Sequence, residues 1–159
     1  MRRVLELLEH DARLTPDQIA TMTGMSEAEV KDIIEQAEKD RVIVKYKTMI
    51  NWEKAGDDRV WAMIEVKMQP QRDVGFDALA ERIYRFPQVR TLYLMSGTYD
   101  LAVYVVGRNM QEVGQFVSQK LAPLEGVHGT ATHFLLKRYK EDGEILDSKG
   151  GDRRQPLSP

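Results

Sequence analysis

Apolar positions recur with a helical period through the first third of the chain and with a strand period from residue 60 onward. Val4, Leu5, Leu7 and Leu8 form one stripe that ends near His10-Asp11. Thr15 stands one residue before Pro16 and three before Gln18, the spacing of a capped helix start with proline at its first position. Ile19, Ala20 and Met22 give this second helix an inward face, and Gly24 stops it. Ser26 and Glu29 repeat the capping pattern. Behind them Val30, Ile33, Ile34 and Ala37 fall at i, i+3, i+4 and i+7, which predicts a third helix. A strand-like stretch, Arg41–Tyr46, follows. Helices this short do not hold in water alone, so they are expected to close a triangular core. The tight turn at Gly24 makes the arrangement a helix-turn-helix with a short strand or wing, over residues 1–47. The same three helices also suit any small helical domain.

Residues 48–59 read as a linker, with Gly56, Asp57 and Asp58 as turn formers and Trp52 as a packing anchor between the two parts. Val60, Ala62, Ile64, Val66 and Met68 then alternate with Arg59, Trp61, Met63, Glu65 and Lys67, the period of a strand. A helix is expected over Asp73–Phe86, with Phe76, Leu79, Ala80, Ile83 and Phe86 on one stripe. Val89–Met95 and Asp100–Val106 read as two strands around a hairpin break. A second helix, Met110–Leu121, turns Met110, Val113, Val117 and Leu121 inward, and Val127–Tyr139 closes as a strand. The order is βαββαβ over 60–139, which makes the chain α+β, a helix-turn-helix followed by a ferredoxin-like domain. Several strands carry apolar groups on both faces, so self-association through the open sheet face is expected. Residues 140–159 read as a flexible tail.

With both halves placed, the chain resembles the Lrp/AsnC (leucine-responsive, feast/famine) transcription regulators over roughly residues 1–140. LTPDQIATMTGMSEAEVKDIIEQAEKDRVIVKY is similar to their helix-turn-helix, MSGTYDLAVYV to their G-x-x-D-apolar hairpin, and HGTATHFLLKRYK to their final strand. The resemblance implies a DNA-binding regulator that forms dimers or higher even oligomers. It also implies a small effector, commonly an amino acid, held between subunits near the hairpin. The positions it carries over are Gly97 and Asp100, with Thr98 and Tyr99 between them and Met95 and Ser96 just before. Gly97 permits a tight turn, Asp100 can accept from an ammonium group, and Thr98 can donate to a carboxylate. Ordinary hairpin chemistry would use the same residues.

Charge changes the picture most. The 159 residues hold 23 Lys+Arg and 25 Asp+Glu, a net of -2 that does not announce nucleic acid. From Ser26 to Asp40, on the helix expected to enter the groove, six acids face only Lys31 and Lys39. Phosphate neutralisation supplies much of DNA affinity, so this helix is poorly matched to the duplex. Basic candidates lie around it: Arg2, Arg3, Arg13, Lys45 and Lys47, with Ser26 and Lys31 near the groove. DNA binding is therefore expected to be weak or strongly salt-dependent, and an effector-binding oligomer with lost DNA binding is the alternative.

Cysteine is absent, which excludes disulfides, thiolate catalysis and cysteine-ligated zinc. No apolar run approaches the ~18 residues of a membrane span, and the acidic, amphipathic start does not suit a signal peptide, so a cytoplasmic location is expected. No phosphate-binding glycine loop, nucleophile elbow or zinc-protease motif occurs, and neither cofactor nor catalytic residue is expected. His128 and His133, five apart on the last strand, are placed by alternation on opposite faces, which argues against a shared metal. A branch of the same family removes carboxyl groups from tetrapyrroles, so one His beside an intersubunit pocket is the remote enzyme alternative.

Overall fold

The computed structural model describes residues 1–69 and 75–146, and the chain divides into two units, Met1–Ile50 and Asn51 onward. In the first unit, α1 (Arg2–His10), α2 (Pro16–Thr23) and α3 (Glu27–Lys39) bury Val4, Leu8, Ile19, Ala20 and Val30 together. Both predicted capping boxes form. The Thr15 hydroxyl accepts from the Gln18 N–H while the Gln18 side chain accepts from the Thr15 N–H, and Ser26 and Glu29 do the same. Gly24 ends α2 in the left-handed conformation, φ 75°.

The strand expected at Arg41–Tyr46 pairs with nothing among the described residues. Instead α3 closes on a reversed turn. Arg41 sits at φ 56°, and the N–H groups of Val42 and Ile43 both donate to the Ala37 carbonyl. Ile43 folds back onto the three-helix core, Val44 is exposed, and the Tyr46 hydroxyl donates to Glu38 at 2.8 Å. A strand needs a ladder partner, and this unit offers none.

The second unit holds β1 (Val60–Met68), α4 (Phe76–Tyr84), β2 (Val89–Leu94), β3 (Leu101–Gly107), α5 (Met110–Phe116) and β4 (Val127–Phe134). The sheet is antiparallel in the order β2-β3-β1-β4, the ferredoxin-like arrangement. Alternation on β1 sends Ala62, Ile64 and Val66 to one face, where Leu79 and Ile83 of α4 and Val113 and Phe116 of α5 cover them. Beyond Phe116 the helix widens into one π turn, Val117–Leu121, which brings Leu121 into the same core. Phe76 and Met110, expected on the inward stripes, are exposed at the first positions of their helices. Asp73, where α4 was expected to begin, lies outside the described residues.

Two other expectations change. The segment from Asn51 is built into the second unit: the Asn51 carboxamide oxygen accepts from the Lys54 N–H and its nitrogen donates to the Leu146 carbonyl. Within that unit the Arg59 guanidinium lies over the Trp52 ring. In place of a tail starting at 140, β5 (Lys140–Glu141) and β6 (Glu144–Ile145) form a small hairpin. Residues 147–159 lie outside the described residues.

Among the described residues no helix covers the other sheet face. Glu65 and Met63 of β1, Tyr93 of β2, Tyr104 of β3 and His133 of β4 stand there, with the two tyrosine rings edge to face at 6.2 Å. Ala102, opposite Glu65, is 2% exposed, and Glu65 and His133 set a charged pair among the apolar and aromatic groups of this face.

Candidate functional site

Two regions carry the candidate residues, one in each unit. In the first, the basic side chains are mostly engaged. Arg2 pairs with Glu6 at 2.8 Å, Lys31 with Glu27 at 2.7 Å, and Arg13 reaches both oxygens of Asp11. Arg3 donates to the Met22 carbonyl, at the C-terminal end of α2. The Ser26 hydroxyl donates to Glu29 at 2.7 Å and accepts from the Glu29 N–H, so it is committed to capping α3. Lys45 and Lys47 are exposed and form no ion pair among the described residues. Along α3 itself, Asp32, Glu35 and Glu38 are exposed, so the acidic surface read from the sequence is a real face of the helix.

In the second unit the segment Met95–Asp100 joins β2 to β3. The Met95 N–H donates to the Asp100 carbonyl, and the Asp100 N–H donates to Val66 of β1. The Asp100 carboxylate accepts from the Met68 N–H at 2.7 Å, which ties the turn to the end of β1. Gly97 adopts φ 132°, a conformation that side chains resist. Ser96, Gly97 and Thr98 are exposed, while Tyr99 and Asp100 are half-buried. The structure thus brings all six predicted residues into one loop, with one oxygen of Asp100 spent on the backbone. Met68 is the partner that sequence reasoning missed, because a backbone donor leaves no residue-type signal.

The alternation behind the histidine reading is interrupted at the start of β4. Strand β4 carries a bulge: Gly129 lies opposite Lys67 but Val127 lies opposite Met68. The extra residue breaks alternation, so Val127 and Phe134 both pack on the core although seven apart, and His128 and His133 are both exposed. His133 sits 3.3 Å from Glu65 across the strand pair. Among the described residues no group of three His, Cys, Asp or Glu is placed to hold a metal.

A capped helix-turn-helix followed by a ferredoxin-like unit defines the class: a one-chain DNA-binding regulator with its own sensing domain. Comparison with known proteins agrees. Residues 1–44 match the winged helix-turn-helix DNA-binding model and residues 61–145 the Lrp/AsnC ligand-binding domain. The chain is 48% identical over 157 residues to the HTH-type transcriptional regulator YugG of Bacillus subtilis, itself uncharacterized, covering 98% of this chain and 95% of that one. The HTH-type regulator FL11 of Pyrococcus furiosus is 26% identical over 91% of this chain and 92% of its own. Among solved structures, the Neisseria meningitidis regulator NMB0573 in complex with L-Met superposes with a TM-score of 0.72 at 20% identity, covering 91% of this chain and 94% of that one. The chain belongs to the Lrp/AsnC family of transcriptional regulators.

Proposed function

We propose that this regulator works as an even oligomer that binds duplex DNA weakly per subunit and responds to an amino acid at the Met95–Asp100 loop. The observation that carries the reading is the loop itself. It offers exposed N–H groups and a Thr98 hydroxyl for a carboxylate, beside an Asp100 carboxylate with one oxygen left for an ammonium group. The L-Met complex of NMB0573 lends support by analogy of fold. Self-association through the uncovered sheet face follows from Met63, Tyr93 and Tyr104, whose apolar surface a second copy would bury. The DNA-contacting side chains in this reading are Arg2, Arg3, Arg13, Ser26, Lys31, Lys45 and Lys47, with Lys45 and Lys47, in the unpaired segment after α3, placed to reach phosphate without breaking an ion pair among the described residues.

The test is calorimetry against the twenty amino acids together with light scattering of the assembly. One amino acid binding with a stoichiometry tied to the oligomer supports the reading. A monomer that binds none of them refutes it. A second reading, a ligand-responsive oligomer that has lost DNA binding, is favoured by the acidic surface of α3. Duplex affinity that is negligible even at low salt would select it.

A further inference from the structure

The start of β1 and the end of β4 enclose a cleft of about 120 Å³ that belongs to neither candidate site. Three separate stretches wall it: the turn holding Trp52 and Asp57, the pair Arg59 and Trp61, and Leu135 through Arg138. Both of the chain's tryptophans line it. Arg59 lies 5.2 Å over the Trp52 ring and is ion-paired with Asp57, so that cation is already balanced. Arg138 is different. Its side chain is only 13% exposed and its guanidinium lies 4.4 Å over Trp61. Glu141 stands at 3.8 Å, beyond hydrogen-bond reach, and Asp57 feels its charge but is hydrogen-bonded to Arg59, so no carboxylate occupies the Arg138 fork.

A guanidinium carries five N–H donors in a fixed fork, and those of Arg138 keep access to solvent in the cleft. A carboxylate fits that fork with two parallel bonds. The ring of Trp61 holds the fork in place, which lowers the entropy cost of using it. We propose that this cleft binds a small monocarboxylate bearing an apolar or aromatic group. Its carboxylate takes the Arg138 fork, and its apolar part lies against Trp61 and Leu135. Glu53 on the cleft wall selects against ligands of higher negative charge, such as phosphates. The site is separate from the hairpin loop: Trp61 and Met68 are seven residues apart on β1, about 23 Å along a strand.

Because the only tryptophans flank the cleft, intrinsic fluorescence of the full chain reads it directly. Phenylacetate is the probe, and phenylacetamide, the same shape without charge, is the control. Phenylacetate is expected to change the emission saturably with Kd of about 1 mM or tighter, and the amide to bind at least about tenfold more weakly. Arg138→Gln should weaken phenylacetate about tenfold, while Asp100→Asn should leave it unchanged. If Arg138→Gln does not fold, Arg138→Lys keeps the charge without the fork and should still weaken the acid several-fold. Equal binding of acid and amide, wild-type affinity in either Arg138 variant, or no saturable response would each overturn the proposal.

Discussion

The Asp100 carboxylate accepts a 2.7 Å hydrogen bond from the Met68 N–H, 32 residues earlier in the chain. One side chain therefore fixes the hairpin loop against the end of β1 while keeping a second oxygen for chemistry. The two roles separate by substitution. Asp100→Ala loses the bond and should cost about 1–2 kcal/mol in urea denaturation. Asp100→Asn keeps a carbonyl acceptor and should stay close to wild-type stability, yet lack the charge that an ammonium group requires. Loss of amino-acid binding in the Asn variant supports an effector role. Retained binding would reduce Asp100 to a structural tie.

Arg41 holds φ 56° at the end of α3, where only glycine sits without strain. Arg41→Gly should therefore stabilise the N-terminal unit by about 1 kcal/mol, since relief of the left-handed strain outweighs the added freedom of the unfolded chain. Thermal unfolding of the two proteins side by side checks the sign. A lower midpoint for the glycine variant would show that the Arg41 side chain contributes more than its backbone costs.

Gly107 ends β3 buried against α5, and a β-carbon built there would meet the Val113 side chain at 2.9 Å. The neighbour is a branched core residue that cannot swing clear. Gly107→Ala should cost about 1–3 kcal/mol by overpacking. Chemical denaturation is the measurement, and an unchanged midpoint would mean that α5 shifts freely on the sheet.

The legible and illegible parts of this chain differ in physical kind. Both capping boxes, the two helices over the sheet and the strand order rest on local spacing, and Thr15, Ser26 and the alternation on β1 carry that spacing in plain view. What escaped was set by single departures from a period. The bulge opposite Lys67 and Met68 interrupts the alternation from which faces were read for His128 and His133. The reversed turn at Arg41 replaced an expected strand, because β-branched Val42 and Val44 signal a strand whether or not a partner exists. The loop Met95–Asp100 was found by motif, whereas the Trp61–Arg138 stack joins residues 77 positions apart and has no sequence signature.

Among the described residues, four carboxylates are held below their ordinary range by neighbours in the fold. The Arg13 guanidinium and backbone lower Asp11, the Ser26 hydroxyl and N–H lower Glu29, the Arg59 guanidinium lowers Asp57, and the Arg108 N–H and guanidinium lower Glu112. Each binds its proton less readily folded than unfolded. Their contribution is thus complete above the ordinary values of 3.8 for Asp and 4.5 for Glu, and is lost as pH falls through the lower folded ones. The melting temperature should be level near neutrality and fall below about pH 4.5. Glu29→Gln keeps a side-chain acceptor for the capping box but removes one titrating group, so its acid-induced loss should be smaller. A steeper loss in that variant would contradict the assignment.

The acidic face of α3 makes the sharpest prediction about DNA. Asp32 and Glu35 are exposed, and the nearest cation, Lys31, is ion-paired with Glu27, so both acids present negative charge to any phosphate nearby. Each phosphate neutralised by a cation contributes about 0.9 to the slope of log affinity against log salt. Replacing both acids, Asp32→Lys with Glu35→Lys, removes two repulsions and adds two cations on the surface expected to meet the groove. Fluorescence anisotropy with a labelled duplex over a salt series should then show tighter binding at low salt and a slope steeper by about 2. Lys45→Gln with Lys47→Gln should move the slope the other way. If neither pair changes it, α3 and the segment after it do not face the duplex, and the N-terminal unit reads some other partner.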